Sequence, residues 1–186
     1  MANFASVFQT PHHRMDIITY WLFRIFILFF RFIPFSALYL FADFISFIIY
    51  HLTGYRKKVV FDNLRRSFPE MDESKRRKIA AAFYRHLADM LVESLKSFNL
   101  SEENVIKRYQ YKNTGFLQDL YKEGKTVICV AGHYGNWEWG GIASGLQLAH
   151  RPVGFYKPLS NQYIDRYIQK TRVQGRSVLA PITRTA

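Results

Sequence analysis

The chain holds 186 residues in a mass of 22.0 kDa, which suits one domain with an appendage and excludes a large multidomain enzyme. Lys and Arg number 26 against 14 Asp and Glu, a net charge of +12 that points to an anionic partner such as phospholipid or nucleic acid. Apolar residues at 49% and aromatics at 17% exclude a disordered basic tail, and the single cysteine, Cys129, excludes an internal disulfide framework and a Cys-based zinc site and suits a reducing compartment.

After an N-terminal tail (1–16), residues 17–33 read IITYWLFRIFILFFRFI and residues 35–52 read FSALYLFADFISFIIYHL. Apart from Thr19, Arg24 and Arg31 the first run is wholly apolar or aromatic, too greasy for a surface helix. At about 1.5 Å per residue it reaches roughly 25 Å, slightly short of a hydrocarbon core of roughly 30 Å. Arg24 and Arg31 share a helix face, where they snorkel or meet protein, because a cation in mid-bilayer is costly. Only Pro34 separates the runs, too little chain to reverse two full spans. Residues 17–52 therefore read as a bent pair of membrane-anchoring helices, either a single span with a packed second helix or a shallow hairpin. A cleaved signal peptide fits less well: Arg14 is the one fixed positive charge ahead of the run, and the run is too long. The following GYRKKVVFDNLRRSF holds Arg56, Lys57, Lys58, Arg65 and Arg66. By the positive-inside rule these cations put the domain from 53 to 186 on the cytoplasmic side, where they also suit anionic headgroups.

Val59, Val60, Phe61 and Leu64 keep helical spacing and predict a helix over 55–67, stopped by Pro69. Asp72 and Glu73 then open a long amphipathic helix to about Phe98, with Ile79, Phe83, Leu87, Met90 and Leu91 as its core stripe. Residues 101–107 predict a short helix, 108–112 a strand, and 114–123 a helix ended by Gly124 in the left-handed cap position. TVICVAG (126–132) is a continuous apolar, β-branched run, expected as a strand buried on both faces. A Gly-containing loop leads to a helix ending near His150, then come strand RPVGFYKP, helix NQYIDRYIQKTRVQ and strand SVLAPI. Strands alternating with helices make the expected fold class α/β, a mostly parallel sheet flanked by helices, behind the N-terminal hydrophobic helical segment.

The sharpest chemical feature is AGHYGNWEWGG at 131–141, in which His133 and Glu138 follow the expected buried strand at the mouth of a helix. Were both helical, their side chains would point about 140° apart, so a working pair needs His133 on the loop and Glu138 in the first turn. Gly132 and Gly135 permit that loop, Asn136 is a good N-cap, and Glu138 falls where a helix favours an acid. A carboxylate bonded to one imidazole nitrogen fixes the tautomer and makes the other nitrogen a better base, suited to a hydroxyl attacking a thioester. No Ser or Cys stands at an elbow beside this His, which favours direct attack over a covalent acyl-enzyme. By spacing alone, a capped helix with a surface His fits equally well. No third ligand at metal spacing is nearby, and His12 and His13 lie in the tail, so neither metal nor cofactor is expected.

AGHYGNWEWGG followed by GFYKPLSNQYIDRYIQKTR, with GYRKKVVFDNLRRSFPE upstream, resembles the lipid A late acyltransferase family, the lauroyl and myristoyl transferases within the lysophospholipid acyltransferase superfamily. The resemblance covers almost the whole chain. It implies a glycerolipid-acyltransferase-like fold at the bacterial inner membrane. The activity implied moves a fatty acyl chain from acyl-acyl carrier protein to a hydroxyl of a lipid A precursor, with a lysophospholipid or aminolipid as alternative acceptor. It makes His133 the general base and Glu138 its orienting partner. Lys157, in YKP, would bind phosphate or neutralise the developing oxyanion; an exposed Lys before a Pro is the plain alternative. Asn136 would orient the His loop or cap the helix, capping being favoured, and Gly135 shapes the same loop. The acidic carrier suits the positive charge, with Arg166, Lys170, Arg172 and Arg176 as carrier or headgroup contacts or a solvated face. Nucleic acid is not expected, because no groove-reading motif accompanies the basic residues. Family members continue past PITRTA, so the domain is expected to be incomplete at its C-terminus, and an inactive membrane-binding chain is the alternative to an active enzyme.

Overall fold

The computed structural model describes residues 11–173 and 175–182, with side chains from residue 14 onward. Two compact units form: Phe32–Leu95, and the segments that flank it, up to Arg31 and from Lys96 onward.

In the Phe32–Leu95 unit, Pro34 precedes α2 (Phe35–Phe47), whose backbone continues through a π-helical turn (Ile48–Thr53) to Gly54 at φ 59°. Phe35–Thr53, with a mean hydropathy of 1.6, is the one helix among the described residues long and apolar enough to cross a membrane. α3 (Lys57–Ser67) and most of α4 (Glu73–Ser97) complete the unit. α2 buries Leu38, Ala42 and Ser46, one residue per turn. The buried line of α4 is Ala80, Tyr84, Ala88 and Val92, whereas Phe83 and Leu91 are exposed. The core stripe thus lies one position beyond the expected one. A buried phenol must find an acceptor, and Tyr84 does so by donating to the Tyr55 carbonyl at 2.6 Å while its ring meets Tyr50 at 5.2 Å. Tyr39 donates to Glu93 at 2.6 Å and Arg85 pairs with Asp43 at 3.3 Å, so α2 runs antiparallel to α4. Asp89 sits among these acids, and burial first, then Glu93 and Asp43, push its carboxyl above the ordinary range.

The flanking unit contains α1 (Pro11–Phe32, to Arg31), α5 (Glu102–Arg108), α6 (Gly115–Lys122), α7 (Trp137–Gln147), β1 (Val153–Tyr156), α8 (Gln162–Arg172) and β2 (Val178–Pro181). Ser101, Asn136 and Asn161 cap α5, α7 and α8 with side-chain oxygens. α6 is followed by Gly124 at φ 71°, as expected. α7 packs against α5 and α8, and Trp139, Ile142, Ala143 and Val105 form the buried centre. β1 and β2 pair in parallel, Val153 opposite Val178 and Tyr156 opposite Pro181, with α8 between them in the chain. Ahead of β2, Gly175 takes φ 70° against the Gly145 carbonyl, which a Cβ would approach to 2.5 Å. Arg176 donates its backbone N–H to the same oxygen at 3.2 Å and its guanidinium to the Leu148 carbonyl at 2.8 Å.

Two expected strands are absent among the described residues, so the described chain is mostly helical, and its sheet is parallel as expected but has only two strands. Within 108–112, the Gln147 side-chain amide accepts from Tyr111 N at 3.1 Å and donates to the Tyr109 carbonyl at 2.7 Å. That amide takes the backbone groups a neighbouring strand would have used. TVICVAG joins no ladder, and Ile128 and Val130 are 89% and 94% exposed. Its β-branched composition expresses a preference for extended backbone, and a strand needs neighbours that composition alone does not supply.

α1 turns Ile27 and Phe30 into this unit's core. Its last carbonyls, which lack intrahelical donors, are met by a side chain: Lys96 Nζ reaches Phe30 O at 2.7 Å and Arg31 O at 3.0 Å, and one turn earlier Asn99 adds a side-chain donor to Ile27 O at 2.7 Å. Burial and the nearby Arg108 hold the Lys96 ammonium below its ordinary pKa. Arg24 lies over the Tyr167 ring at 4.4 Å and donates to the Tyr20 hydroxyl at 3.2 Å. It meets protein and does not snorkel.

Lys96→Met should cost about 1–3 kcal/mol, the desolvation penalty of carbonyls left without a donor, read from the denaturation midpoint of the detergent-solubilised chain. Asp89→Asn should raise the melting temperature at neutral pH. A carboxyl with a raised folded pKa costs stability above that pKa and nothing below its ordinary 3.8, so the gain should fade as the pH is lowered toward that value.

Candidate active site

Within the flanking unit an open cleft of about 620 Å³ is lined by His133 and its loop, Glu138, Lys157, Arg172 and residues of both strands. The loop is shaped by short-range bonds: Tyr134 N donates to Gly132 O at 2.9 Å and Trp137 N to Gly135 O at 3.1 Å. Gly135 at φ 61° occupies the left-handed region that disfavours side chains. Asn136 Oδ1 then accepts from Trp139 N at 3.1 Å and starts α7.

This local chemistry puts Glu138 in the first turn and leaves His133 on the loop, exposed, with its ring edge-on to Trp137 at 4.8 Å between centroids. Glu138 is held in a fork by Arg172, the last residue of α8: Nε donates to Oε2 at 3.0 Å, and a terminal nitrogen donates to Oε1. The acid stands at the positive end of α7 and the cation at the negative end of α8, so each complements its own helix dipole. No hydrogen bond joins His133 to Glu138; the two share the cleft as neighbours.

Tyr109 and Tyr111, from the segment between α5 and α6, also line the cleft. Tyr111 donates to the Gly140 carbonyl at 3.0 Å, and a Cβ on Gly140 would come within 2.9 Å of the Tyr109 ring. Burial first, then Tyr109 and Cys129, push the Tyr111 phenol up, so it stays a neutral donor.

Lys157, just past β1, is exposed and lines the cleft. Gly135 and Asn136 act from behind it, through loop and cap, and Arg166 is exposed on α8 outside the lining. Sequence reasoning set Arg172 among surface contacts and missed its place beside Glu138, 34 residues away. Tyr109 and Tyr111 were missed as well; their signal was the alternation in RYQYK, which puts both on one face of an extended segment. Chemically the cleft offers the His133 imidazole as a base and the Lys157 cation to receive an anionic group, the charge of Arg172 being committed to Glu138. No group of three or more His, Cys, Asp or Glu is placed to hold a metal among the described residues.

Arg172→Met and Glu138→Gln should each lower stability, and their double-mutant cycle should show a coupling of about 0.5–3 kcal/mol, as for residues in one network. Gly140→Ala should cost about 1–3 kcal/mol by overpacking Tyr109, measured by thermal denaturation.

Among curated proteins, the chain is 26% identical over 110 residues to the lipid A biosynthesis lauroyltransferase of Escherichia coli strain K12, a match covering 59% of this chain and 35% of that protein. The matched part thus spans about a third of that relative's length. No solved structure matches the chain. The description "bacterial lipid A biosynthesis acyltransferase" fits residues 6–182, and the chain belongs to that family.

Proposed function

We propose that the protein transfers a fatty acyl chain from the thioester of acyl-acyl carrier protein to a hydroxyl of a lipid A precursor, at the cytoplasmic face of the inner membrane. The observation that carries the reading is the occurrence of His133, Glu138 and Lys157 around one cleft in a chain of this family. Neutral His133 takes the proton from the acceptor hydroxyl as its oxygen attacks the thioester carbonyl. Lys157 stabilises the oxyanion that forms, an effect that grows as water leaves the site. Collapse of the tetrahedral intermediate breaks the C–S bond, and the imidazolium returns its proton to the departing thiolate. The products are an ester and a free carrier thiol, with every proton accounted for.

Glu138 serves the imidazole from a position set by Arg172. A carboxylate accepts up to about four hydrogen bonds, so the two from Arg172 leave capacity for an imidazole N–H. The cations Arg56, Lys57, Lys58, Arg65 and Arg66 support the cytoplasmic placement through the positive-inside rule. The acidic carrier is drawn to a chain of net charge +12.

His133→Ala should lower turnover by roughly 10²–10⁴-fold, the usual contribution of a general base, with melting temperature and membrane association unchanged. The assay compares detergent-solubilised wild type and variant, with labelled acyl-acyl carrier protein as donor and either a lipid A precursor or a lysophospholipid as acceptor. Turnover that survives the substitution, or a wild type that transfers to neither acceptor, overturns the reading. Transfer to the lysophospholipid alone keeps the chemistry and replaces the acceptor.

A further inference from the structure

We infer that α1 lies in the plane of an anionic lipid leaflet, with its outer face among the acyl chains, and does not cross the bilayer. The inference is independent of the acyl-transfer reading, and its test reads no activity.

The two faces of α1 carry it. Met15, Ile18, Leu22, Ile25, Phe29 and Phe32 are all exposed; at about 100° per residue they fall within an arc of roughly 100°. Tyr20, Phe23, Arg24, Ile27 and Phe30 fall on the opposite side, and that side is occupied by protein. Tyr20 meets Tyr163 at 5.9 Å, Phe23 meets Phe98 at 5.8 Å and Tyr167 at 5.9 Å, and Arg24 covers Tyr167 at 4.4 Å. Ile27 and Phe30 are buried. The binding runs the length of the helix, from the Asp16 carbonyl, which accepts from Asn161 at 2.9 Å, to the Arg31 carbonyl, which accepts from Lys96 at 3.0 Å.

A helix attached in this way carries its partners wherever it goes. α8 runs beside it and bears Asp165, Arg166, Lys170 and Arg172. Were α1 to span the membrane, these charges would enter the hydrocarbon with it, which is strongly unfavourable. With α1 in the leaflet plane, the outer face meets the acyl chains and α8 stays at the polar level, the arrangement of an interfacial amphipathic helix. The charges agree with that depth. Arg166 and Lys170 are exposed on α8, one turn from the tyrosines that touch α1, and Arg14 is exposed at the start of the outer arc of α1 itself. Three cations at an apolar stripe select an anionic surface.

The test uses the full chain with Cys129→Ser, one cysteine at a time in place of the six outer residues, nitroxide labels, and vesicles of phosphatidylglycerol and phosphatidylethanolamine. The expected result is one common depth, about 5–10 Å below the headgroups for every label. A depth that runs from one headgroup layer at position 15 to the other at position 32 overturns the inference. Labels shielded without lipid and broadened by one another also overturn it, by assigning the face to a second copy. Quenching of the fluorescence lost in Trp21→Phe, by lipids brominated near the headgroup or near the chain end, gives a second reading free of labels. Strong quenching at the shallow position is expected, and quenching by neither overturns the inference. Arg166→Gln with Lys170→Gln should bring the labels several-fold closer in collision rate to a water-soluble relaxant in these vesicles; no change overturns the anionic preference.

Discussion

The fork of hydrogen bonds from Arg172 to Glu138 is the constraint on which the cleft depends. It ties the first turn of α7 to the last turn of α8, and α8 is the connection between the two strands. Lys157 leads into that connection, where Leu159 N donates to Asp165 at 3.0 Å and Asn161 caps the helix. His133 precedes α7 by a loop of a few residues. The cations and the imidazole of the cleft are therefore held by one half-buried ion pair whose removal from either side would leave a charge poorly solvated. Both helix dipoles reinforce the pair.

Much of the arrangement around His133 was legible because its causes are local. Gly135, Asn136 and Glu138 each express a preference that depends on two or three neighbouring residues: a left-handed turn, an N-cap and a first-turn acid. β1, β2, α5 and α6 were legible for similar reasons of composition and punctuation. What escaped depended on groups distant in the chain. Nothing near Glu138 announces Arg172, and nothing near Tyr109 announces that the Gln147 amide takes its carbonyl. TVICVAG carries the composition of a buried strand, yet its exposure shows that a strand is a relation between segments. α4 taught the same lesson on a smaller scale: its core line follows Tyr84 and its hydrogen bond, which a count of aliphatic residues passes over.

The same distinction governs the N-terminal run. Its apolar composition leaves a single span and a shallow hairpin open, and its two arginines look like liabilities. Arg24 is resolved by Tyr167 and Tyr20, whose ring faces and hydroxyl give the guanidinium a partner at the cost of little desolvation. The helix is thereby divided into a side committed to protein and a side left apolar. Asp43, in the apolar helix of the other unit, is likewise answered by Arg85 at 3.3 Å.

Gly175 and Gly145 lie thirty positions apart, yet the missing side chain of the first rests on the backbone of the second. Mechanically the contact is a locating pin: Arg176 bolts the turn to the same carbonyl and to that of Leu148, and β2 starts from it. Any side chain at 175 would act as a wedge at the short arm of a lever whose long arm is β2, prising it away from β1. The walls of the cleft are thus registered by a contact that lies outside the cleft itself.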